Sequence, residues 1–183
     1  AVVQRLFVLL AGMLLAACAT RPATPAVVLP PLQLAPAALG HEMAEQQRLV
    51  FRFGTQVREL DALLEVDASE VRLAVQAMGR TGVRLQWDGK ELVEQRAAWL
   101  PAAVRSERVL DDVQFSLWPA DAVRAVLPGG WELVESGDTR ELRRDSEAWL
   151  VRERTSATTL QVRNRADGYD LTIESVAGGA HDP

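Results

Sequence analysis

Apolar and polar residues alternate with a period of two through much of the chain beyond residue 47. Every second residue is apolar in runs at 49–53, 60–66, 71–77, 83–87 and 92–100. This alternation predicts β-strands that bury one face and leave the other in water. Asp88-Gly89 between two runs suits a type I′ hairpin turn. The pattern predicts an antiparallel meander of five strands that ends at Pro101.

The period becomes helical between residues 109 and 127, where Pro119 divides the stretch into two short pieces before Pro128-Gly129-Gly130. Strands are predicted again at 131–134, 140–143, 147–155, 159–165 and 169–176. No helix lies between consecutive strands, which disfavours a parallel α/β sheet. We expect a mainly β (α+β) fold: about nine strands in a strongly curved antiparallel sheet, an incomplete barrel around a short helical plug. A helical turn is predicted at 41–47.

The beginning of the sequence has the features of an export signal. Arg5 precedes the apolar run at 6–15, which is too short to cross a bilayer core of about 30 Å. Leu15-Ala16-Ala17-Cys18 resembles the bacterial lipobox. This resemblance implies that Cys18 receives a diacylglyceryl group on its sulfur, that residues 1–17 are then cut off, and that the new amino terminus is acylated as well, with palmitate as an expected acyl group. Ala19 then implies sorting to the periplasmic face of the outer membrane. The alternative is an ordinary signal peptide with an incidental cysteine.

Composition divides the remaining chain into three parts. Residues 18–46 are rich in proline and alanine and predict an acylated N-terminus with an extended tether. Residues 47–176 suffice for one domain, and 177–183 predict a disordered tail. The net charge of −5 becomes more negative by one when Arg5 is removed. This sign argues against binding to nucleic acid and against attraction to anionic lipid.

The sequence lacks the common signatures of catalysis. Neither histidine lies in a predicted regular segment, and there is no Gly-x-Ser-x-Gly elbow or metal-ligand spacing. Asp111-Asp112 could be a carboxylate pair, but adjacent helical residues point in different directions and acids are favourable at a helix start. We therefore expect a solvated, capping role for this pair. We therefore predict that the protein is not an enzyme and that it has no catalytic residue, metal or cofactor.

Three short motifs resemble an uncharacterised family of proteobacterial outer-membrane lipoproteins, often encoded beside aryl-polyene biosynthesis genes. They are the stretch 109–119, Trp87-Asp88-Gly89 and the stretch 169–173. The wider layout is similar to LolB, the outer-membrane receptor for lipoproteins, and to its periplasmic partner LolA. This resemblance implies a half-barrel with short helices over its mouth and an apolar interior that takes acyl chains. It also implies a LolA-like donor as a partner.

Large apolar residues supply the candidate ligand-binding site. Concave lipid sites are mostly apolar and aromatic, and five tryptophans are many for one domain; a filled core is the alternative. The candidate ligand-binding residues are Leu73, Val75, Leu85, Trp87, Trp99, Phe115, Trp118, Trp131 and Trp149. LolB-like proteins touch the membrane with an apolar loop residue that precedes a glycine. Met78 in the loop 77–82 occupies the corresponding place, although the proline and leucine of the receptor's loop are missing and core packing is the alternative.

These features lead to two hypotheses for the function. In the first, a monomeric, lipid-anchored protein binds an acyl, polyene-lipid or lipoprotein cargo and delivers it to the outer membrane. In the second, it is a non-enzymatic assembly factor that docks a partner of an export machine. An apolar cavity of on the order of several hundred Å³ would favour the first hypothesis. A core filled by its own side chains would favour the second.

Overall fold

The computed structural model describes residues 27–100 and 105–176, and a single antiparallel sheet of ten strands dominates it. The strand order is β5-β4-β3-β2-β1-β10-β9-β8-β7-β6, which leaves β5 and β6 at the two open edges. The strands are β1 (Met43–Phe53), β2 (Gln56–Val66), β3 (Val71–Ala77), β4 (Arg80–Trp87), β5 (Leu92–Arg96), β6 (Trp131–Ser136), β7 (Thr139–Arg144), β8 (Glu147–Arg154), β9 (Thr159–Asn164) and β10 (Tyr169–Val176). The expected mainly β fold, an unclosed curved sheet with short helices, is confirmed.

The differences from the predicted elements are local. The sheet has ten strands, one for each of the ten predicted strand segments, although the expected total is about nine. The helical turn predicted at 41–47 is wrong, because Met43 already pairs with Val66 and the β1–β2 ladder continues without a break to Phe53 and Gln56. A single 3-10 turn lies earlier, at Pro36–Leu39. β5 ends at Arg96 rather than at 100, and Leu100 packs into the core instead.

The antiparallel register gives the sheet two distinct ends. We call the end with the β1–β2, β3–β4, β7–β8 and β9–β10 turns the upper end, and the opposite one the lower end. Two helices, α1 (Ser106–Leu117) and α2 (Ala120–Val126), lie between β5 and β6 in the chain. Pro119 separates them, as the sequence predicts.

Helix α1 runs from the upper end of the sheet toward the lower end. At its start, Arg105 lies 3.4 Å from Asp167 in the β9–β10 turn. At its end, Arg140 near the lower end of β7 donates hydrogen bonds to the carbonyls of Phe115 and Trp118, each 2.7 Å long. Helix α1 therefore extends along the whole height of the half-barrel.

Residues 27–42, which we call the leading segment, lie along α1. The Leu32 N–H donates to Asp111 Oδ1 at 2.9 Å, and the Leu34 N–H donates to Gln114 Oε1 at 2.9 Å. Gln114 returns a hydrogen bond of 2.8 Å to the Leu34 carbonyl. Because the partners on α1 advance in step with the segment, the two run in the same direction, from the upper to the lower end.

The docked leading segment differs from the tether predicted up to residue 46. Its prolines do keep it extended, but Leu29, Leu32, Leu34 and Leu39 are all buried in the common core. The predicted signal segment at 1–17, Cys18 and the tail at 177–183 lie outside the described residues. Within 27–100 and 105–176, no helix has both the length and the hydropathy needed to cross a membrane.

Candidate functional site

An apolar cavity of about 100 Å³ lies in the upper half of the molecule, between α1 and the inner face of β10, β1, β2, β3 and β4. Alternate residues of each strand point inward and supply its aliphatic lining. The aliphatic lining residues are Leu49, Leu60, Ala62, Leu73, Val75, Val83, Leu100, Val109, Val113, Leu171 and Ile173. An engineered apolar cavity of about 150 Å³ elsewhere stays dry and binds benzene. The space here therefore suits a small apolar group or the end of a chain.

One side of this cavity is polar. Asp112 and Tyr169 both line it, and the Tyr169 hydroxyl donates a hydrogen bond to Asp112 Oδ2. Asp112 is only 5% exposed, and its other oxygen, Oδ1, is buried without a hydrogen-bond partner in the described chain. Burial raises the pKa of Asp112 to about 7, although the Tyr169 hydrogen bond and the charge of Arg108 oppose this shift. Burial and the neighbouring Asp112 charge raise the pKa of Tyr169, so its hydroxyl remains a donor.

Two further acids and two arginines surround this pair. Arg108 lies 3.3 Å from Asp111 Oδ2 and 3.2 Å from Asp167 Oδ2, and Arg105 also pairs with Asp167. Burial raises the pKa of Asp111, against hydrogen bonds from the leading segment and the charge of Arg108. In the part of the chain that the structure describes, no group of histidine, cysteine or acidic residues is arranged to hold a metal ion.

The prediction for the acidic pair on α1 is corrected by this arrangement. Asp111 and Asp112 are both buried, so they are not solvated, and neither caps the helix. Asp111 instead holds the leading segment, while Asp112 belongs to the cavity. Because they lie on different faces of α1, adjacent acids have different partners.

The predicted ligand-binding residues divide into three groups. Leu73 and Val75 line the cavity. Leu85, Trp87, Phe115 and Trp118 are buried in the core and do not line it. The Trp87 indole donates to the Leu34 carbonyl at 2.7 Å and the Trp118 indole to the Ala35 carbonyl at 3.0 Å. The two tryptophan rings thus contact the leading segment, at positions where the sequence analysis predicts contact with a ligand.

The third group consists of Trp99, Trp131 and Trp149, which lie nearer the surface. Each has an arginine guanidinium over its ring, 5.7 to 5.8 Å from the ring centre: Arg80, Arg144 and Arg165 respectively. Such stacking is a cation–π contact. None of the three rings lines the cavity.

Met78 lies at the tip of the β3–β4 hairpin and is 94% exposed. Its φ of 49° and that of Gly79, 70°, are both positive, as a tight hairpin turn requires. The alternative of a methionine packed in the core is therefore wrong. Phe53, Val57 and Trp99 are also exposed at the upper end, so this end carries several apolar side chains in water.

The sequence-based interpretation misses Tyr169 and Arg108 as site residues, and it assigns Asp112 to the surface. One signal was available for Asp112. Val109 and Val113 lie three residues before it and one after it, on the apolar stripe of the predicted helix. An acid on such a stripe is buried when the helix packs, and it then needs a partner.

Comparison with known proteins places the chain in a family. Comparison with curated proteins gives no match. A family model described as a protein of unknown function, DUF3261, matches residues 44–177. The matched region includes nearly all of β1, every other strand, both helices and the whole cavity lining, whereas the leading segment lies outside it. Since the match covers well over half of the sequence, the chain belongs to the DUF3261 family.

Proposed function

We propose that this protein is a lipid-handling protein that takes the apolar part of a lipid into the cavity and acts at a membrane surface. The observation that carries this proposal is the apolar cavity itself, enclosed between α1 and the sheet in the upper half. Binding sites for apolar ligands are concave and mostly apolar, with few polar groups. The volume of about 100 Å³ is smaller than the cavity on the order of several hundred Å³ expected for a whole cargo, so the proposal is restricted to the end of an acyl or polyene chain.

The upper end supports action at a membrane. Met78 projects there into water, and Phe53, Val57 and Trp99 add exposed apolar surface. In this proposal Met78 enters the bilayer, while a lipid on Cys18 anchors the chain to the periplasmic face of the outer membrane. A LolA-like donor would then supply the cargo. Two signals, an anchor and an inserted side chain, hold a protein at a membrane more firmly than either alone.

The second candidate is the assembly factor, and the filled lower half favours it. There Trp87 and Trp118 donate hydrogen bonds to the leading segment, and Phe115 is buried in the same core. Under this alternative the cavity is a packing defect, and an outer face of the sheet binds a partner protein.

Two matched variants on neighbouring strands distinguish these candidates. Ala62→Leu adds three carbons inside the cavity, whereas Ala74→Leu adds the same atoms on β3 outside it. The full-length proteins are purified from bacterial envelopes, extracted with organic solvent and analysed by mass spectrometry. We expect lipid with the wild type and Ala74→Leu, and several-fold less with Ala62→Leu. Equal lipid from both variants, or none above an unrelated periplasmic protein, would contradict the proposal.

A further inference from the structure

We propose that the cavity selects ligands whose apolar chain ends in a hydrogen-bond donor, an alcohol or an amine, and that Asp112 Oδ1 accepts this hydrogen bond. This inference rests on the proposed function, because it specifies the head group of the molecule that the cavity binds. The evidence is a buried oxygen without a partner on a residue of a mostly apolar cavity, whose other polar lining residues are Gln47, Arg105, Arg108 and Tyr169.

The neighbouring donors face acceptors other than Asp112 Oδ1, although Arg108 Nε, 3.2 Å from Asp167 Oδ2, makes no hydrogen bond within the described residues. Tyr169 gives its hydroxyl hydrogen to Asp112 Oδ2, and Asn164 donates to the Tyr169 oxygen at 3.0 Å. Arg108 faces Asp111 and Asp167, and it donates to the Leu29 carbonyl at 3.3 Å. A buried acceptor without a partner costs free energy until a donor reaches it. In the described chain no such donor is present, so a ligand that brings one is stabilised by this bond.

The charges around the cavity decide the sign of the head group. Arg105 and Arg108 line the cavity beside Asp112, but Arg105 is ion-paired with Asp167 and Arg108 with Asp111 and Asp167, so the cluster has three carboxylates to two guanidiniums when all are ionised. Adding a carboxylate, such as the head of a fatty acid, increases this excess in surroundings that solvate charge poorly. A hydroxyl adds no charge, and an ammonium group reduces the excess. The site therefore favours alcohols and amines over free acids.

The protonation of Asp112 provides a second signature. Because burial raises its pKa to about 7, the carboxyl is protonated in part of the molecules at neutral pH. An ammonium head binds the ionised form best, and the affinity for an amine is expected to rise as the pH increases from about 6 to about 8. The charged groups that face Asp112 are Asp111, Arg108 and Asp167. Burial also raises the pKa of Asp111, so the loss of the pH dependence in Asp112→Asn is the result that assigns it to Asp112.

The experiment compares three probes with the same five-carbon chain, short enough for the cavity: pentylamine, 1-pentanol and pentanoate. Each is titrated calorimetrically into the full chain. We expect the amine and the alcohol to bind about tenfold more tightly than the acid, the scale of one buried hydrogen bond. Asp112→Asn should reduce this ratio to about one and remove the pH dependence of amine binding. Asp170→Asn, at an exposed acid of β10, should leave both unchanged.

Failure of this inference differs from failure of the proposed function. If the three probes bind the wild type equally, or if Asp112→Asn keeps the preference, the selection of a donor head group is wrong while chain binding stands. If none of the probes binds the wild type, both proposals fail. The wild-type ratio and its pH profile need no variant, so they test the inference even if Asp112→Asn does not fold.

Discussion

The two halves of the barrel interior differ in what fills them. In the lower half, the leading segment and the rings of Trp87, Phe115 and Trp118 are buried together in the core. In the upper half, the same sheet and the same helix leave an apolar cavity. A sheet of this curvature is therefore too wide for α1 alone to fill, and an additional segment completes the packing at one end only.

Two buried side chains of α1 differ in how their polar atoms are satisfied. Gln114, fully buried in the lower half, is satisfied by two hydrogen bonds to the Leu34 backbone. Asp112, buried in the upper half, has one oxygen bound to Tyr169 and one oxygen without a partner. Polar groups in a permanent core are normally all paired. Ser106 Oγ, Arg108 Nε, Ser116 Oγ and Arg152 Nε are also buried without a hydrogen-bond partner in the described chain, and among these residues only Arg108 lines the cavity with Asp112.

The largest expected effect tests the filled half. Trp118→Ala removes a fully buried ring and its hydrogen bond to Ala35, and it should lower the free energy of unfolding by about 3–5 kcal/mol. Trp99→Ala, at a half-exposed ring, is the control and should cost less than about 1 kcal/mol. Urea unfolding measures both. A loss of similar size in the two variants would contradict the division of the interior.

Asp112→Asn should have the next largest effect, and its sign depends on pH. The pKa of Asp112 is about 7 in the folded chain and near 3.8 in the unfolded chain. The folded state therefore keeps a proton that the unfolded state releases, and wild-type stability falls as the pH rises from about 4 to about 7. At pH 8 the variant should be more stable than the wild type by a few kcal/mol, and the difference should shrink toward pH 4. Urea unfolding at several pH values tests this, and a difference independent of pH would contradict it.

A matched pair of substitutions on β3 compares the two halves directly. Val71 and Val75 are both buried, but Val71 lies at the lower end and only Val75 lines the cavity. Val71→Phe should overpack the filled half and cost about 1–3 kcal/mol of unfolding free energy. Val75→Phe can place its ring in the cavity and should cost less than about 1 kcal/mol. Thermal unfolding measures both, and an equal cost would mean that the upper half has no usable space.

The smallest effect on stability is expected at Met78. Met78→Asp should leave the free energy of unfolding within about 0.5 kcal/mol, because the side chain is exposed and aspartate tolerates a positive φ. In a Cys18→Ser background, flotation with phosphatidylethanolamine vesicles should nevertheless fall several-fold. Val93→Asp, at an exposed position near the lower end, is the control and should float like the parent. Unchanged flotation of Met78→Asp would contradict membrane contact.

Much of the fold follows from local patterns, whereas the site depends on contacts between distant residues. The alternation at 71–77 and the break at Pro119 predict β3 and the two helices, because each reflects neighbours in sequence. The role of Asp112 depends on Tyr169, 57 residues away, which no local pattern reveals. The prolines around Leu32 and Leu34 predict an extended backbone, but they do not predict that this backbone binds Asp111 and Gln114 of α1.

The course of the leading segment has a mechanical consequence. The segment enters beside Arg108 at the upper end and runs parallel to α1, with hydrogen bonds to Asp111 and Gln114 across its direction. A pull on the chain from the upper end therefore acts along the segment and loads these bonds together, in shear, rather than one after another. The leading segment therefore stays bound to α1 under a force from that side until several hydrogen bonds break at once.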